Sequence, residues 1–234
     1  MSAEGGGECR VGLRSDGDNM TKLLATADIH GQWLVYDWLA ETAREQKADV
    51  VVAAGDLLGG GWQEEQREQA SEIIAAFKRF GIPVLYIMGN DDFLPLDYED
   101  QEIRPLHGKR IDWGSYSFVG YQYSLPFVGG IFEKSEQEIG QDLLKLEPLV
   151  DDRTVLVTHS PAFGSLDLIY DGTHVGSQSL TAFIERRPVL AHIHGHIHGS
   201  FGHDANHFNV ASGGQRRAVL VELPSLEHKL LVED

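Results

Sequence analysis

Five apolar runs in this chain each stop at a short segment of Gly, Asp, Asn or His, and that repeated ending constrains the fold most. Leu23–Ala27 runs into Asp28-Ile29-His30-Gly31. Asp49–Ala54 runs into Gly55-Asp56, and Val84–Met88 into Gly89-Asn90-Asp91-Asp92. Thr154–Thr158 leads to His159-Ser160-Pro161, and Pro188–Ala191 to the segment from His192 to Gly199. Runs this apolar read as strands buried on both faces, the habit of parallel sheets. Between the first three lie helical patterns. Gln32 to Gln46 carries Leu34, Trp38, Leu39 and Ala43 near helical spacing, and Gln63 to Phe80 turns Ile73, Ile74 and Phe77 inward before Gly81-Ile82-Pro83 stops it. Strand, loop, helix and strand in this order predict a βαβ start and a largely parallel sheet.

The later chain is less regular. Arg110 to Tyr121 alternates weakly around Gly114 and reads as a hairpin. Ser135–Leu146 and Leu180–Glu185 read as helices, and Ala218–Leu223 and Lys229–Val232 as strands. Residues 1–19 are rich in Gly, Ser and Asp and read as a flexible tail. Residues 20–234 show neither a repeat nor a linker, so one domain is expected there.

The residues at the run ends are chemically selective. Asp28, His30, Asp56, Asn90, His159, His196 and His198 offer carboxylate, imidazole and amide donors and no thiolate. That mixture suits borderline divalent ions such as Mn, Fe, Zn or Ni. In open α/β sheets ligands bind beyond the carboxyl ends of the strands, where loops far apart in sequence meet. Taken singly, each segment has a plainer reading as a helix cap or a turn. Jointly they are harder to dismiss, because all five follow apolar runs and six of the eleven histidines fall between His192 and His207.

Charge narrows the partners. With 19 Lys+Arg against 36 Asp+Glu, the net charge of −17 opposes generic binding to nucleic acid or to anionic membranes. No apolar run approaches the ~18 residues of a membrane span. The N-terminus lacks the basic start and apolar stretch of a secretory signal. The single Cys9 allows no intrachain disulfide, which fits a reducing compartment. A soluble, cytoplasmic protein is expected, and its oligomeric state is open.

The motifs Asp28-x-His30, Gly55-Asp56, Gly89-Asn90-x-Asp92, His159 and Gly195-His196-x-His198 resemble, in order, the blocks of the calcineurin-like metallophosphoesterase superfamily. The phrases Thr158-His159-Ser160-Pro161, His174-Val175-Gly176-Ser177 and Gly195-His196-Ile197-His198 look most like its Icc-related predicted phosphoesterases. The resemblance implies an α/β fold, a four-layer α/β/β/α sandwich of two mixed sheets flanked by helices. It also implies two divalent metal ions. Asp28, His30, Asp56 and His198 would hold one; Asp56, Asn90, His159 and His196 would hold the other, with Asp56 bridging. Such a pair lowers the pKa of a shared water, giving hydroxide to attack a small phosphoester substrate.

One departure stands out. Many members carry a His between the Asn and Asp of the third motif, where it is thought to stabilise the transition state or protonate the leaving group; here the slot holds Asp91. Asp91, His174 and His194 are the candidates for that role, and weak turnover of esters with poor leaving groups is expected if none fills it. Asp92 reads as support for the site that orients a histidine. Trp33, Trp62, Trp113 and Tyr123 offer faces for a base, though such residues more often pack. A phosphodiesterase is the leading expectation, a phosphomonoesterase the near alternative, and a non-catalytic scaffold on the same fold the third.

Overall fold

A computed structural model describes residues 20–61 and 63–233. The tail expected at 1–19, Cys9 and Trp62 lie outside them. The first half builds the βαβ start: β1 (Thr21–Thr26), α1 (Trp33–Gln46), β2 (Val50–Ala54), α2 (Gln63–Arg79) and β3 (Val84–Ile87). The three strands pair in parallel, and β4 (Ile103–Pro105) adds a further parallel edge. The expected hairpin forms from β5 (Arg110–Trp113) and β6 (Tyr116–Tyr121). It starts a second sheet, which α3 (Glu136–Leu146), β7 (Thr154–Thr158), α4 (Gln178–Arg186) and β8 (Ala191–His194) continue. β9 (Gly202–Asp204) and β10 (His207–Asn209) complete it in the order β5-β6-β7-β8-β10-β9. β11 (Arg216–Leu223) and β12 (Glu227–Glu233) return to the first sheet, ordered β12-β11-β1-β2-β3-β4, with β11 antiparallel to β1.

The unbroken apolar runs are explained by burial on both faces. Leu23, Ala25, Val50 and Val52 pack against Phe118, Val155, Val157 and Ile193 of the other sheet. Their neighbours Leu24, Val51 and Ala53 face away, onto Leu39 of α1 and Ile73 and Phe77 of α2. Val119 and Leu156 meet Ile139, Leu143, Leu180 and Phe183 of α3 and α4. Successive side chains of a strand point to opposite sides, so the central strands of both sheets serve two apolar interfaces. The result is the four-layer α/β/β/α sandwich. α3 starts at Ser135, whose side chain accepts from the Glu138 N–H while the Glu138 carboxylate accepts from the Ser135 N–H.

The sequence placed one strand at Pro188–Ala191; β8 instead runs Ala191–His194 and carries His192 and His194 inside the sheet. Pro188 has no N–H for a ladder. His192 is accommodated because its Nε2 shares a hydrogen bond with Thr158 Oγ1 at 2.8 Å and its Nδ1 with His207 at 3.0 Å. Burial, then the neighbouring His194 and His207, holds it in the neutral form, well below the usual histidine pKa. β4, β9 and β10 had no signal in the sequence. Each is three residues long, so pairing with neighbours and not local pattern makes it a strand.

Candidate metal centre

Beyond the ends of β1, β2, β3, β7 and β8 the loops are stitched together by backbone. Asp28 N–H donates to the Gly55 carbonyl at 2.9 Å, His30 N–H to that of Asp56 at 3.0 Å, and Gly195 N–H to that of His159 at 3.1 Å. The Asp28 carboxylate accepts from the His196 N–H at 2.9 Å. Two glycines make this approach possible. A Cβ on Gly89 would collide with Asp56 Oδ1, and one on Gly195 with Asp28 Oδ2. The Gly-Asn and Gly-His pairs of the sequence thus record contact between loops. Asp28, His30, Asp56 and His196 all hold positive φ, between 50° and 72°. Left-handed backbone in a non-glycine residue is costly and gathers at functional sites; Asp, Asn and His tolerate it best.

The donor side chains lie close to one another. His198 Nε2 lies 3.2 Å from Asp28 Oδ1 and 3.3 Å from His30 Nε2. His159 Nε2 lies 3.4 Å from Asp56 Oδ2 and 2.9 Å from Asn90 Oδ1. Two triads are close enough to hold an ion: Asp28 with His30 and His198, and Asp28 with Asp56 and His159. Asp28 belongs to both, while Asp56 Oδ2 stands 4.0 Å from His30 Nε2. His196 flanks them, its ring 5.1 Å from that of His159.

The chemistry of this set fits divalent cations. His159 Nδ1 donates to the Ala54 carbonyl at 2.9 Å, and His30 Nδ1 to Asp91 Oδ2 at 3.1 Å. Each leaves Nε2 turned into the cluster, the arrangement that orients ligating histidines. The field also asks for positive charge. Burial opposes ionising Asp56, yet His159 and His30 outweigh it and hold its carboxyl below the usual range. Burial likewise lowers His159, but Asp56 and Asp28 reverse the sign and raise it to about 10. Desolvation and neighbouring His159 push half-buried His196 down to about 4.

Four expectations change in detail. Asp91 reaches the cluster, but as the partner of His30, with a half-buried carboxylate that accepts the imidazole proton. His174 pairs with buried Asp167 at 2.5 Å and does not line the cavity over the donors. His194 is fully buried beside His192, also away from that cavity, and its Nε2 has no partner among the described residues. Asp92 does not orient a histidine: it accepts from the N–H groups of Leu57, Leu58 and Gly89 at 3.0, 2.8 and 2.8 Å, pinning the second loop to the third. Burial and nearby Asp56 raise its pKa to about 7, offset in part by those N–H donors.

Two supports escaped the sequence reading. Gln66 of α2 is buried; its Nε2 donates to the Asp91 carbonyl at 2.8 Å and its Oε1 accepts from the Phe93 N–H at 2.6 Å. Arg217 donates to the His198 carbonyl at 2.8 Å and stacks over Phe201. Neither sits near a motif; the only hint was a polar Gln facing inward on an amphipathic helix.

A cavity of about 700 Å³ opens over His30, Asp56, Asn90, Asp91, His196 and His198. Two mixed sheets flanked by helices, with carboxylate, amide and imidazole donors gathered at the strand ends, define the metallophosphoesterase fold. The chain belongs to the calcineurin-like phosphoesterase family, which it matches over residues 21–200. It is similar to a probable rhamnogalacturonate lyase C of Emericella nidulans, 28% identical over 203 residues; the match takes in 79% of this chain but only 18% of that protein's length. Among solved structures it is similar to TT1561 of Thermus thermophilus, with a TM-score of 0.70 at 15% identity, covering 92% of this chain and 99% of that one. It is also similar to a dimetal phosphatase from Danio rerio, with a TM-score of 0.54 at 13% identity and the same coverages. These two likenesses are of fold.

Proposed function

We propose that this chain is a phosphoester hydrolase that works with two divalent metal ions and acts on phosphodiesters. The convergence of Asp28, His30, Asp56, Asn90, His159, His196 and His198 from five loops beneath one cavity carries the reading. Asp28, His30 and His198 would hold one ion, and Asp56, Asn90, His159 and His196 the other, with Asp56 shared. When bound, such a pair supplies Lewis-acid polarisation of phosphoryl oxygens and acidifies a water at neutral pH.

The chain's own residues supply position. The Asp91 carboxylate and the Ala54 carbonyl hold the Nδ1 protons of His30 and His159, so both Nε2 atoms stay available as ligands. The Asn90 amide and the His196 ring face the space that a phosphoryl group would occupy. Asp91 is occupied as an acceptor and is not placed to donate a proton to a leaving alcohol. Esters with acidic leaving groups are therefore the better substrates. No Lys or Arg is among the described residues lining the cavity. That favours a singly charged diester over a monoester dianion. No described helix is long and apolar enough to cross a membrane. A reducing, cytoplasmic setting accompanies this reading on the strength of a single cysteine.

The test is a panel of mono- and diesters on metal-stripped protein supplied with Mn, Zn, Fe or Ni. Two ions bound per chain with faster turnover of diesters than of matched monoesters is the expected result. Faster monoester turnover would reassign the substrate class, and no ion bound would leave a scaffold.

A further inference from the structure

Apolar side chains from two segments stand open to solvent where they line the cavity above the donors. Phe127 and Val128 of one segment are 67% and 46% exposed, and Leu168 and Tyr170 of the other are 44% and 100% exposed. Ile169 and Ile197 join them in lining the cavity. Clustered exposure of this kind marks a binding surface.

The backbone presenting these side chains is held in place. Val128 and Gly129 N–H groups donate to the Glu133 carboxylate at 2.7 and 2.9 Å. Gly130 packs so closely on the Asn90 carbonyl that a Cβ would collide with it. In the second segment, Ser200 Oγ donates to the Leu168 carbonyl at 2.9 Å, and Ile169 N–H to that of Thr173 at 3.0 Å. The Phe127 ring stands edge-on to His196, with centroids 5.2 Å apart. An apolar wall therefore begins where the donor cluster ends.

Charge shapes what can lie beyond the donors. Apart from the donors, the ionisable side chains among the described residues lining the cavity are Asp91 and Tyr170. Away from the donor cluster no Lys or Arg among these residues stands ready to pair with a further negative group on the ligand, in a chain of net charge −17.

We propose that this cavity takes a phosphodiester monoanion carrying an aryl or comparably large apolar ester group, with that group against Phe127, Val128, Leu168 and Tyr170. The proposal rests on the phosphoesterase reading of the donor cluster. The phosphate charge goes to the donors, and the apolar group covers the exposed walls.

The test compares two singly charged ligands, ethyl phenylphosphonate and ethyl methylphosphonate, in which the varied group is held by a P–C bond that does not hydrolyse and the one ester leaves ethanol, a poor leaving group, by calorimetry on manganese-loaded full chain. The phenyl ligand is expected to bind about tenfold or more tightly, from burial of one aromatic side-chain equivalent. In Phe127→Ala and in Tyr170→Ala that ratio falls toward one while bound manganese is unchanged. Among the described residues Tyr170 makes no hydrogen bond or ring contact with a donor, so its variant keeps the test valid if Phe127→Ala loses metal. Equal affinities in the wild type, or a ratio that the variants leave unmoved, would overturn the proposal. Failure of the loaded wild type to hydrolyse any phosphoester would instead overturn the phosphoesterase reading, and the phosphonate ratio would still judge the apolar subsite.

Discussion

Asp91 shows how far one residue's role depends on its neighbours. In the motif pattern its slot holds histidine, and from sequence alone Asp91 is one of three candidates, with His174 and His194, for a proton donor. Three-dimensional placement makes it the acceptor for His30 Nδ1 at 3.1 Å instead. Removing such a partner typically costs about 10–100-fold in metal affinity or activity. Asp91→Asn is therefore expected to weaken one of two manganese sites by that order in a titration of stripped protein; an unchanged isotherm would sink the assignment. Asp91→His is expected to lose metal in the same way and not to gain turnover on poor leaving groups. Asp56 sits deeper in the network: it accepts from the Asp91 N–H at 2.8 Å and faces both His159 and His30. Asp56→Asn is expected to abolish hydrolysis and to weaken both ions, read by turnover together with bound metal. Near-normal turnover with two ions in place would contradict the shared role.

At the scale of elements, the loops after β1, β2, β3, β7 and β8 form one unit, and its tightest points are glycines. Gly89→Ala is expected to push a Cβ into Asp56 Oδ1 and the Asp56 backbone. Overpacking of this kind costs about 1–3 kcal/mol. The loss should be visible as a lower melting temperature and, in protein that still folds, as reduced metal content. Alanine at exposed Gly60, where a Cβ meets open space, should change neither. The strands themselves were largely legible, because runs such as Val50–Ala54 must be apolar on both faces when sheets and helices sandwich them. β8 was misplaced by a few residues because neutral, hydrogen-bonded histidines can occupy a buried strand, and periodicity reads histidine as polar.

For the whole molecule, buried and half-buried histidines link stability to pH. Burial, and then Lys134, depresses His107 to about 4, and burial holds His192 well below the ordinary value. The unfolded chain takes up these protons near pH 6.5, whereas the folded chain refuses that of His107 until about pH 4. The folded state is favoured fully above pH 6.5 and loses this contribution as pH falls toward 4. Urea midpoints at pH 7 and pH 4.5 should show a smaller acid loss in His107→Gln than in the wild type; identical losses would remove His107 from the account.

Much of the centre was readable before any coordinates, and the reason is local. An apolar run, a glycine and a metal-donating side chain are neighbours in the chain, and their order through five segments marks the strand ends of a two-sheet sandwich. What the chain alone left open were the relations across it. His30 with Asp91, Asp92 with the N–H groups of Leu57 and Leu58, and Arg217 with the His198 carbonyl join loops from different parts of the sequence. The removal of His174 and His194 from the cavity, and the apolar walls at Phe127 and Tyr170, were settled in the same way. Distance in space between segments far apart in sequence leaves no periodic trace; it arises only when the two sheets pack and bring those loops to one end of the sandwich.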